Sequence, residues 1–70
     1  MPVRFRGKGL IMFYIAGREI PLGSVITHRS GREFIYHGNN GQNLIVEEKI
    51  DNPVGSVLWG PYYFNGEIRN

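Results

Sequence analysis

His28 and His37 are the imidazoles of this chain, and Ser24, Thr27, Ser30 and Ser56 are its hydroxyl nucleophile candidates. Nucleophilic catalysis needs one of each within hydrogen-bond reach. No serine sits in a nucleophile-elbow pattern, and in the hairpin read below the two histidines lie at different levels. With no cysteine, a metal would draw on those imidazoles and scattered carboxylates, which falls short of a usual ligand set. Glu47 and Glu48 are neighbours, so in a strand they point to opposite faces and do not pair as acid and base. Gly38 and Gly41 lack the lysine and the following helix of a phosphate-binding loop. The chemistry-bearing residues thus read as those of a non-enzyme with no metal and no cofactor.

Contact chemistry is better represented. Trp59-Gly60-Pro61-Tyr62-Tyr63-Phe64 concentrates aromatics beside a proline. Tyrosine and tryptophan are favoured interface anchors, and aromatic rings also stack on bases. Consecutive aromatics in a strand alternate faces, so if Tyr62 and Phe64 face in, Tyr63 faces out. Trp59, Tyr62 and Tyr63 are therefore the expected partner-binding residues. A basic set, Arg4, Arg6, Lys8, Arg29 and Arg32, falls in the first half of the chain, while most carboxylates fall in the second. The opposed halves can attract each other within one molecule or between copies. The net charge of +2 is small for a nucleic-acid binder, which usually carries a larger, clustered excess.

These residues need a scaffold. Ten glycines punctuate the chain into short segments rich in β-branched and aromatic residues, the pattern of strands and turns. Residues 1–9 read as a basic arm or edge strand, with Arg4, Arg6 and Lys8 on one face. Residues 10–70 read as a single small β domain. Leu10 to Ile15 reads as a strand buried on both faces, and Ala16-Gly17-Arg18 as a turn. The clearest hairpin pairs Ser24–Arg29 with Arg32–His37. A two-residue Ser30-Gly31 loop sets Arg29 opposite Arg32, His28 opposite Glu33 and Val25 opposite Tyr36, with Val25, Thr27, Phe34 and Tyr36 on the core face. Gly38 to Gln42 is a polar turn, Leu44 to Ile50 a strand with a polar end, and Ser56 to Trp59 a short strand. Asn65-Gly66 is a strong type I′ hairpin signal. The expected core is Phe13, Ile15, Val25, Phe34, Tyr36, Leu44, Val46 and Leu58.

The expected fold is all-β: a small antiparallel meander or partly open barrel of five to six short strands, of SH3-like or OB-like size. Hydrophobic content of 41% argues against disorder, and some of that apolar surface exceeds what so small a core can hold. The apolar run at Leu10 is too short to span a membrane, so the chain reads as soluble, in the cytoplasm or in a particle assembled there. The leading functional expectation is a non-catalytic protein that acts through protein–protein contact, with another protein or with copies of itself. It would serve as an accessory or structural subunit of an assembly, a virion component or a small inhibitor. The second is a nucleic-acid-binding small barrel, using the basic set with Tyr36 or Tyr62 stacking. Carbohydrate binding through Trp59 and Tyr63 comes third.

Overall fold

The computed structural model describes residues 13–69. Arg4, Arg6, Lys8 and most of the first apolar run lie outside the described residues. The described strands are β1 (Tyr14–Ile15), β2 (Arg18–Glu19), β3 (Val25–His28), β4 (Glu33–Asn39), β5 (Leu44–Glu48), β6 (Ser56–Trp59) and β7 (Phe64–Arg69), with one 3-10 turn at Pro61–Tyr63. The chain is all-β, and no helix among the described residues is long and apolar enough to cross a membrane. β1 and β2 form a separate small hairpin, and the other strands form one antiparallel sheet in the order β6-β5-β4-β3-β7.

The strand order forces curvature. β3 to β6 run as a meander, and the chain then passes from one edge strand to the other through residues 60–63. In a flat sheet those edges would stand about 19 Å apart, four strand spacings of roughly 4.8 Å. A connection that includes a 3-10 turn, rising about 2 Å per residue, reaches only about 13 Å from Trp59 to Phe64. The sheet therefore curls until its edges approach. It remains an open barrel, because no hydrogen-bonded pairing joins β6 to β7 among the described residues.

The β3–β4 hairpin differs from expectation by one residue. Val25 pairs with Ile35, Ile26 with Phe34 and Thr27 with Glu33. The His28 backbone N–H donates to the Arg32 carbonyl at 2.8 Å, and Gly31 N–H donates to the His28 carbonyl at 2.8 Å. The loop is thus the three residues Arg29-Ser30-Gly31, not two, and Gly31 takes the left-handed conformation with φ +95°. A two-residue type I′ loop would have required positive φ at Ser30 as well; a three-residue loop requires it only at its final residue. A one-residue slip exchanges the faces of a strand. Ile26 and His28 therefore point into the core with Phe34 and Tyr36, while Val25 lies half-buried on the opposite face. The expected pairings of His28 with Glu33 and of Arg29 with Arg32 are replaced accordingly.

Asn65-Gly66 does not make a hairpin. Both residues lie inside β7, where the pairing with β3 shifts between Ile26–Ile68 and His28–Phe64. The irregularity absorbs the turn-forming dipeptide as a bulge, with Glu67 N–H donating to Asn65 Oδ1 at 2.9 Å.

Ile15, Ile20, Ile26, Phe34, Tyr36, Leu44, Val46 and Phe64 form the buried core, with Phe13, Val57, Trp59 and Ile68 packed against it. Leu58, expected in the core, is 54% exposed. Strand alternation decides this: Val57 and Trp59 take the core face of β6, so Leu58 falls on the outer face opposite Ile45.

Candidate binding site

The site is built around His28. Its ring is 8% exposed and touches Phe34, Trp59, Tyr63 and Phe64, with centroid separations of 5.9, 4.4, 5.9 and 5.5 Å. These residues come from β4, β6, the 3-10 turn and β7, so one imidazole bridges the gap between the two edges of the curled sheet. Ser30 N–H donates to His28 Nδ1 at 3.0 Å, and the Ser30 hydroxyl lies 2.9 Å from the same atom. A backbone donor fixes Nδ1 as the acceptor, which leaves the proton of the neutral ring on Nε2. Nε2 is buried and has no hydrogen-bond partner among the described residues; its surroundings offer π faces rather than lone pairs.

On this cluster stands the 3-10 turn. Pro61 occupies its first position, Tyr63 N–H donates to the Gly60 carbonyl at 3.1 Å, and Arg29 N–H donates to the Tyr63 carbonyl at 2.8 Å. The expected strand-like alternation of Tyr62, Tyr63 and Phe64 is thereby lost. A turn, unlike a strand, lets neighbouring side chains point the same way. Phe64 is buried, but Tyr62 is 67% exposed and Tyr63 is 38% exposed. Their centroids are 4.6 Å apart, and Tyr63 contacts Trp59 edge-on at 4.9 Å. Trp59 is itself only partly exposed and serves as the base under Tyr63. The Tyr63 side chain raises the Tyr62 phenol above its ordinary value, through hydrogen bonding first and charge repulsion second. Gly60 has a steric role: a Cβ there would lie 2.6 Å from the Tyr62 ring.

Tyr62 forms one wall of an open groove of about 410 Å3. Ile15 and Phe64 supply buried apolar surface at its base, and Tyr14, Ala16, Arg29 and Pro61 complete the lining. Tyr14 is 52% exposed, so the described end of the first apolar run is not buried on both faces as expected. Ala16 and Gly17 form the two-residue turn between β1 and β2, both with positive φ (50° and 78°). Ala16 is held beside β7, where a Cβ on Gly66 would approach its own Cβ to 3.1 Å.

The basic set is divided. Arg32 makes a two-pronged ion pair with Glu48, at 2.9 and 2.8 Å, and its guanidinium lies over the Phe34 ring at 5.3 Å. Arg29 lines the groove, and its side chain has no hydrogen bond or ion pair among the described residues. Arg18 donates to the Gly66 carbonyl at 3.0 Å, and Arg69 pairs with Glu33. Tyr36, an expected stacking platform, is buried, and its hydroxyl accepts from Asn39 at 3.1 Å. His37 lies on the outer face beside Glu47 at 3.1 Å, away from His28. No group of three metal-ligating side chains occurs among the described residues.

Sequence reasoning singled out Tyr62, Tyr63, Trp59 and Arg29, with Pro61 beside them, and missed Tyr14 and Ala16 as their neighbours. The available signal was Ala16-Gly17: read as a two-residue turn, it places Ile15 in and Tyr14 out by alternation. No protein-family model, no curated protein and no solved structure matches this chain.

Proposed function

We propose that this protein is a non-catalytic binding module that acts through protein–protein contact, with Tyr62 and Tyr63 as its anchors and Trp59 as their support. One observation carries the reading: two adjacent tyrosines are held exposed on a proline-initiated turn whose backbone is tied to the β3–β4 loop and whose rings rest on a buried aromatic cluster. Rings fixed before contact lose little entropy on binding, and aromatic anchors supply a disproportionate share of interface energy. The nucleic-acid reading draws less support, since Arg32 is already matched by Glu48 and Tyr36 is buried.

The test is purification of the protein with its partner from the source, followed by titration of Tyr63→Ala and Tyr62→Ala variants against that partner. More than tenfold weakening with an unchanged circular dichroism spectrum is expected. Undiminished binding by both variants would refute the reading.

A further inference from the structure

We infer that the groove between the Ala16-Gly17 turn and the Pro61–Tyr63 turn binds an extended, proline-containing peptide segment and selects an acidic residue in it through Arg29. This rests on the protein-contact reading and names the chemistry of the partner.

Three features carry it. The first is shape. A volume of about 410 Å3 lies within the roughly 300–1,000 Å3 typical of ligand sites, but the groove is open to solvent rather than enclosed. An enclosed site buries a compact molecule, whereas an open one is filled by a chain that crosses it. The second is the lining. Tyr14 and Tyr62 expose their rings, with Pro61 and Ala16 as small apolar surface between them. Aromatic-lined grooves accept polyproline-type segments because such segments are already extended, bear no internal hydrogen bonds and lose little freedom on docking. The third is charge. Arg29 is a cation without a carboxylate partner among the described residues, and no carboxylate lines the groove there. Arg18, Arg32 and Arg69 are each engaged elsewhere. An exposed guanidinium at the edge of an aromatic groove favours a carboxylate, which it can grip with two parallel hydrogen bonds. One cation suits one acidic side chain; a nucleic-acid strand would call for several along its backbone.

The Arg29 backbone adds positioning. Its N–H is bonded to the Tyr63 carbonyl, so the loop carrying the cation and the turn carrying the rings are fixed to each other. Peptide charge and peptide apolar surface must therefore be read together.

The experiment uses the full chain, immobilised, to select from a random displayed peptide library. Enriched sequences are then made synthetically and titrated by fluorescence anisotropy. The expected result is enrichment of peptides with Asp or Glu near proline. Arg29→Gln should weaken their binding by about tenfold or more. Replacing the peptide carboxylate by its amide should cost the same, and combining the two changes should cost no more than either alone, which marks direct coupling. The peptide-side change needs no altered protein, so a folding defect cannot mimic it. Basic or uncharged enriched peptides, independent effects of the two changes, or no enrichment would overturn the inference. If Tyr62→Ala abolishes binding while Arg29→Gln leaves it intact, the acidic preference falls and the aromatic-contact reading stands. If neither variant weakens binding of the selected peptides, both fall. Titration with oligothymidylate at two salt concentrations completes the test. Tight, salt-sensitive binding lost in Arg29→Gln would replace the peptide with a single-stranded nucleic acid.

Discussion

Ser24 and His28 are the polar side chains of the core, and burial treats them differently. His28 Nδ1 is satisfied by Ser30, and its remaining N–H lies among aromatic rings. The Ser24 hydroxyl has no partner among the described residues, although its backbone is paired: Tyr36 N–H donates to the Ser24 carbonyl at 2.9 Å. An orphaned buried hydroxyl costs about 1–3 kcal/mol, and removing it leaves no charge or donor behind. Ser24→Ala should therefore raise stability by about 1 kcal/mol, read as a higher midpoint in urea with an unchanged slope. A lower midpoint would show that the hydroxyl has a partner such as an ordered water. His28 was visible in the sequence as a titratable residue on a strand. Its role was not, because a position on a strand reveals which face it takes only once the register is known.

At the scale of elements, register is where sequence and structure part. Segment existence was legible, boundaries only in part: Ser56–Trp59 matches as a strand, and Leu44, Val46, Phe34, Tyr36 and Ile15 are buried as their patterns imply, but β4 runs through the expected Gly38 turn to Asn39. The error at Val25 traces to Gly31. Ser30-Gly31 fits a two-residue loop by composition, and only backbone geometry reveals that Gly31 alone carries positive φ. Asn65-Gly66 misled for a related reason. A dipeptide that favours positive φ or a tight bend serves a bulge as well as a hairpin, and the neighbouring strand decides which. The conformation of Gly31 has a direct check. Gly31→Ala places a Cβ on a residue with φ +95°, where L-residues lose about 1–2 kcal/mol. Space around the position is open, so the whole loss is conformational. Thermal melts should show it; an unchanged melting temperature would contradict the left-handed conformation at Gly31.

At the scale of the molecule, the opposed charge halves meet, among the described residues, at the Arg32–Glu48 pair, which ties the residue before β4 to β5. Its hydrogen bond to Arg32 holds the Glu48 carboxyl below its ordinary value of 4.5. A carboxyl with a lowered folded-state value contributes stability above the unfolded value and loses it as pH falls through the folded one. Native stability should therefore decline on acidification below pH 4.5, and Arg32→Gln should lower neutral-pH stability slightly and flatten that part of the profile by the same small amount, since the half-exposed Arg32 makes the pair weak. Urea melts across the acid range would show an unaltered profile if the pair has no such role. Curvature was the least legible property at this scale. Nothing in the composition of residues 60–63 marks them as a bridge between opposite sheet edges, because that follows from strand order alone. The bridge has an optical consequence. Trp59 is the sole indole of the chain, and it sits edge-on to Tyr63, which in turn abuts Tyr62 on the groove wall. Its emission should report edge closure directly and groove occupancy through the Tyr63–Tyr62 contact, so unfolding and ligand entry should each shift the fluorescence of the unmodified protein.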